Sequence, residues 1–61
     1  MDLILTPNID DADGFYDELL AVHQDLSTKE SEAFNARLIL ILANHIGDRA
    51  VLSAAFEAAS K

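Results

Sequence analysis

A continuous apolar run in the middle of the chain constrains its fold more than any other feature. From Leu38 to Ala43 the sequence reads Leu-Ile-Leu-Ile-Leu-Ala, within a chain of only 61 residues. A helix over this run is apolar on almost every face, and a helix that is apolar all round must be buried. Because a chain of about 60 residues buries only about 60% of its unfolded surface, we expect a partner to cover part of this helix.

The sequence predicts a short extended N-terminal arm followed by three helices. Thr6 precedes Pro7 and is therefore disfavoured in a helix, so residues 1–10 are predicted to form the arm. Residues 11–61 are predicted to form a single small helical domain, because apolar side chains recur there at helical spacing. The predicted helices span about residues 11–26, 28–46 and 49–60. The expected fold class is all-α, a helical hairpin plus a third helix, in a dimer.

Capping residues define the ends of these predicted helices. Ser27 followed three residues later by Glu30 is a capping box, which marks the start of the second helix. Gly47 is well placed as the left-handed residue that ends the same helix. Asp48 then caps the third helix, so that a corner of two residues joins the second and third helices.

The predicted second helix carries apolar side chains on two faces. One face contains Phe34, Leu38 and Ile41 and is expected to pack on the first helix. The other face contains small residues and Leu40, and it is expected to meet a partner. The candidate interface residues are Phe15, Tyr16, Ala36, Arg37, Leu40 and Ala43. For Arg37, an ion pair with an acid of the first helix is the alternative.

The chain is acidic, and its charge is unevenly distributed. Eleven Asp and Glu residues oppose four Lys and Arg residues, for a net charge of −7. Residues 1–32 hold nine acids and one lysine, a balance of −8, whereas residues 33–61 hold two acids and three bases, a balance of +1. Nucleic-acid binding needs a basic surface, so we expect no nucleic-acid partner, and an anionic membrane surface is disfavoured for the same reason.

Three further observations bear on location. No stretch reaches the roughly 20 apolar residues that a membrane span needs, and Met1-Asp2 is unlike the start of a signal peptide. The absence of cysteine fits a reducing compartment. We therefore expect a cytoplasmic protein with no membrane partner.

The densest polar cluster lies at the predicted corner between the second and third helices. It contains Asn44, His45 and Asp48, and Asp48 is placed to orient His45. Catalysis at this corner would also need a nucleophile or a second acid or base, and a pocket that excludes water. The serines and Thr28 are expected at helix caps or solvent faces, and no glycine-rich phosphate loop is present. We therefore expect no enzymatic activity, no bound metal and no cofactor, with a ligand- or metal-binding corner as an alternative. The other histidine, His23, is expected to have a structural role.

Several stretches of the chain are similar to a known family. Thr6-Pro7-Asn8, residues 13–20 and residues 35–48 carry the similarity, and the most specific part begins Asn-Ala-Arg and ends Ala-Asn-His-Ile-Gly-Asp. The chain resembles, over nearly its whole length, very short proteobacterial proteins classed as a domain of unknown function, number 2783. The resemblance implies an accessory polypeptide encoded beside flavin-dependent aromatic-ring hydroxylases.

Three functional hypotheses follow from the sequence. The first is a non-catalytic interaction protein that self-associates through its second helix. The second is an accessory subunit of a larger enzyme, such as a flavin-dependent aromatic hydroxylase, which is the function that the resemblance implies. The third is a small ligand- or metal-binding module at the Asn44, His45 and Asp48 corner.

Overall fold

The computed structural model describes residues 1–61 and contains three helices and no strand, which confirms the all-α fold class. The helices are α1 (Ala12–His23), α2 (Thr28–Ile46) and α3 (Arg49–Ala59). Residues 1–11 contain no helix or strand, and the chain bends at Thr6 and Pro7. None of the three helices combines the length and the apolar character that crossing a membrane requires.

The first helix begins at an aspartate cap. Asp11 has a left-handed backbone (φ 48°), and its carboxylate accepts a hydrogen bond of 3.2 Å from the Gly14 N–H. The helix ends at His23, three residues before the predicted end near Leu26. Beyond His23 the chain tightens into a turn, in which the Leu26 N–H donates to the His23 carbonyl at 3.1 Å. The turn is needed because Ser27 must be extended to cap the next helix.

The second helix spans the predicted range, and its predicted capping box is confirmed. The Ser27 Oγ accepts from the Glu30 N–H at 3.1 Å, and the Glu30 Oε1 accepts from the Ser27 N–H at 2.9 Å. The hydrogen bond from the Ser27 backbone, with a smaller contribution from the Ser27 side chain, lowers the pKa of the Glu30 carboxyl. At the other end, Gly47 has φ 74° and donates its N–H to the Ala43 carbonyl at 2.8 Å, the simple left-handed ending of a helix.

The third helix starts directly after this corner. The Asp48 Oδ1 accepts from the N–H groups of Ala50 and Val51, at 2.9 and 3.2 Å, and so caps α3 as predicted. The helix ends at Ala59, one residue before the predicted end. There the Ser60 hydroxyl donates to the Phe56 carbonyl at 2.7 Å, which satisfies one of the free carbonyls of the last turn.

Two side-chain contacts near the α1–α2 connection join these two helices. The His23 Nδ1 lies 2.9 Å from the Ser31 Oγ, and the His23 ring meets the Phe34 ring edge-on with centroids 5.0 Å apart. The C-terminal end of α1 is therefore held against the N-terminal half of α2. His23, which is half-buried, has the structural role expected for it.

The arrangement of the three helices is open. The radius of gyration is 13.2 Å, against about 10.5 Å for a compact domain of this length. The accessible surface is 5481 Å², whereas a folded chain of this mass exposes about 3,900 Å². The helices leave about 1,600 Å² per chain uncovered relative to a compact protein.

Candidate interaction surface

Apolar side chains remain exposed throughout the molecule. Val51 is the one buried residue, at 6% exposure, and it lies in the first turn of α3 behind the Gly47 corner. Fourteen large hydrophobic residues are exposed, and five of them belong to α2. The exposed members of α2 are Ile39, Leu40, Ile41, Leu42 and Ile46. Scattered apolar residues are normal on a protein surface, but contiguous ones mark an interaction surface.

A groove of about 350 Å³ runs between α2 and α3, and we call it the α2–α3 groove. Seven of its eight lining residues are apolar, the exception being Arg49. The residues that line it are Ile39, Leu42, Ala43, Ile46, Arg49, Leu52, Ala55 and Phe56. The corner at Gly47 and Asp48 creates the groove, because it returns α3 beside the last two turns of α2.

A second groove lies between α1 and α2, and we call it the α1–α2 groove. It is smaller, at about 240 Å³, and an acidic residue, Glu18, stands among its lining side chains. The other lining residues are Phe15, Leu19, Val22, Phe34 and Leu38.

The largest concavity, about 450 Å³, lies within the N-terminal segment. It is formed by Ile4–Ile9, where the chain bends on itself, together with Ala12 from the start of α1. Because nearly consecutive residues line it and no second helix closes it, this concavity is a feature of the local bend.

The six predicted interface residues lie on α1 and α2, and two of them line different grooves. Phe15 lines the α1–α2 groove, and Ala43 lines the α2–α3 groove, where it is half-buried. Tyr16 is 57% exposed on α1, and Leu40 is 70% exposed on α2. The last two, Ala36 and Arg37, are exposed on the same helix as Leu40.

The ion pair considered for Arg37 is absent. The single ion pair of the structure joins the Lys61 Nζ to the Glu57 Oε1 at 3.9 Å, with both side chains in solvent. The guanidinium of Arg37 therefore pairs with no acid of α1, and Arg37 is exposed on α2.

The predicted polar corner is arranged around the backbone. Asp48 directs its carboxylate to the N–H groups of α3 and not to His45. The side chains of Asn44 and His45 make no hydrogen bond within the chain. No cluster of three or more His, Asp or Glu side chains has the geometry to hold a metal ion. The corner turns the chain and caps the start of α3.

The sequence analysis did not predict the α2–α3 groove as a surface. The signal that was available is the two-residue corner, which forces α3 to lie beside α2. Phe56, an aromatic residue that is 68% exposed, lines this groove but was not among the predicted interface residues.

The fold and these surfaces define a small three-helix protein whose apolar faces are incompletely covered. The chain belongs to the family described as Protein of unknown function (DUF2783), which matches residues 3–61. Comparison with curated proteins and with solved structures returns no match.

Proposed function

We propose that this protein is a non-catalytic helical interaction protein that self-associates as a homodimer through α2. The observation that supports the proposal most strongly is that only Val51 is buried, whereas Ile39, Leu42 and Ile46 of α2 are 57%, 50% and 39% exposed. Removing apolar surface from water is the main favourable term in folding and association. A second copy of the chain supplies the cover that a single copy lacks.

The uncovered area fits a dimer of ordinary size. Each chain exposes about 1,600 Å² more than a compact chain of its mass. Covering that area on two chains buries about 3,200 Å² in total, and obligate homodimers bury about 2,000–5,000 Å². An obligate interface resembles a domain core cut in half. A single chain that buries only one residue is consistent with being one half of such a core.

The proposal includes residues 1–10 as an extended arm of the dimer. Leu3 is half-buried, whereas Ile4 and Leu5 are 58% and 76% exposed. The arm therefore offers apolar side chains to the second copy beyond those of α2.

The test is the solution mass of the purified chain, measured by light scattering over a wide concentration range. We expect twice the 6.6 kDa of the chain. A mass of 6.6 kDa at every concentration, with a helical and cooperatively unfolding protein, would overturn the proposal. A chain that folds only when a larger protein is added would also overturn it, in favour of an accessory subunit such as the family resemblance implies.

A further inference from the structure

We infer that the second copy docks in the α2–α3 groove and that Phe56 is the central aromatic anchor of this interface. The inference rests on the proposed self-association and names the surface through which it occurs.

The composition of the groove is suited to contact between two identical surfaces. Ile39 and Phe56 stand on opposite walls and are 57% and 68% exposed. Aromatic side chains carry a large share of the energy of protein interfaces because each buries a large area. In a two-fold dimer the same patch faces itself, so Phe56 of each copy can enter the groove of the other.

The charge distribution favours the same surface. Residues 1–32, which include α1, carry a balance of −8, so two copies that met through α1 would bring like charges together. Residues 33–61, which include most of α2 and all of α3, carry a balance of +1. Contact through the α2–α3 groove leaves the acidic halves on the outside of the dimer, where they keep it soluble.

The two other apolar surfaces are less suited to a second copy. Leu40 is as exposed as Phe56, but it lines no groove and lies one turn from the polar residues Arg37 and Asn44. The α1–α2 groove is smaller, at about 240 Å³, and it lies along α1, which belongs to the acidic half of the chain.

Three matched substitutions test the inference. Phe56→Ser, Leu40→Ser and Tyr16→Ser each replace a large exposed side chain on a different surface without changing the charge. We expect Phe56→Ser to raise the dimer Kd at least about tenfold, and the other two to change it less than about threefold. Because Phe56 is exposed in the single chain, the helical circular dichroism of the variant at high concentration is expected to be retained.

A second measurement does not depend on the stability of these variants. The chain has no cysteine, so Ile39→Cys and Tyr16→Cys each introduce a single thiol. The thiol at position 39 should react progressively more slowly with a water-soluble thiol reagent as the protein concentration passes through the Kd. The thiol at position 16 should react at the same rate throughout.

The outcomes separate this inference from the proposal on which it rests. A wild-type chain that is monomeric overturns both. A wild-type dimer that Leu40→Ser or Tyr16→Ser dissociates, while Phe56→Ser leaves it intact, overturns the docking surface alone. Equal reaction rates of the position-39 thiol in monomer and dimer also overturn the docking surface alone.

Discussion

The Nδ1 of His23 lies 2.9 Å from the Oγ of Ser31, across the connection between α1 and α2. The same imidazole meets the edge of the Phe34 ring. These two contacts tie the last residue of α1 to the first two turns of α2, in a part of the molecule with few buried side chains. His23 thus has the structural role that the sequence predicts for it and joins the two helices.

Loss of the hydrogen bond between His23 and Ser31 is expected to destabilise the protein. Ser31→Ala removes a partly buried hydrogen bond, and we expect it to lower the free energy of unfolding by about 1 kcal/mol relative to Ser53→Ala. Ser53 is the matched control, because it is an exposed helical serine without a hydrogen bond of its side chain. Chemical unfolding at one fixed chain concentration measures the difference. Equal stabilities of the two variants would contradict a stabilising role of the hydrogen bond.

The capping box makes part of the stability depend on pH. The pKa of Glu30 is lowered in the folded state by its hydrogen bond from Ser27, so the folded chain binds this proton less readily than the unfolded chain. The contribution is present above the unfolded pKa and is lost as the pH falls through the lowered, folded pKa. We expect the stability advantage of the wild type over Glu30→Gln to shrink on acidification. An advantage that stays constant with pH would contradict this account of the cap.

The two glycines of the chain should respond differently to alanine. Gly47→Ala forces a side chain into a left-handed conformation, and we expect a loss of about 1–2 kcal/mol in unfolding free energy. This loss would come from backbone strain and not from a steric clash, because a Cβ at position 47 would stand 3.8 Å from the nearest atom, the Asn44 carbonyl oxygen.

Gly14→Ala is the matched comparison. A Cβ at this position would clash with the Asp11 carboxylate, which is exposed and can rotate away. The lost cap and the gained helix propensity, each about 1 kcal/mol, then offset each other. Thermal unfolding of both variants at one concentration gives the comparison. A Gly14→Ala variant as unstable as Gly47→Ala would contradict it.

The polar corner is expected to act through Asp48 alone. Asp48→Ala removes the cap of α3 and should cost about 1 kcal/mol in unfolding free energy. His45→Ala removes a side chain without a hydrogen bond and should stay within about 0.5 kcal/mol of wild type. A metal site at this corner makes the contrary prediction, because an ion bound only by the folded state would raise the Tm. An increase in Tm with added divalent ions, abolished by His45→Ala, would contradict the purely structural role.

The helix ends were largely predictable because caps are local. Ser27 with Glu30, Gly47 and Asp48 each act within a few residues, and each is found in its predicted role. The end of α1 was harder to predict from the sequence, because the apolar spacing continues to Leu26 although the chain must turn before Ser27. The placement of α3 against Ile39 and Ile46, with Leu40 left outside, depends on packing between helices. The periodicity of apolar residues within a single helix does not predict this placement.

We propose that one chain cannot cover its own apolar surface and that a second copy does so. The most direct test is the midpoint of thermal unfolding, followed by circular dichroism, as a function of chain concentration. When folding and association are coupled, mass action raises the Tm with concentration. We expect a steady rise of Tm from micromolar to millimolar protein. A cooperative transition with the same Tm at every concentration would contradict it.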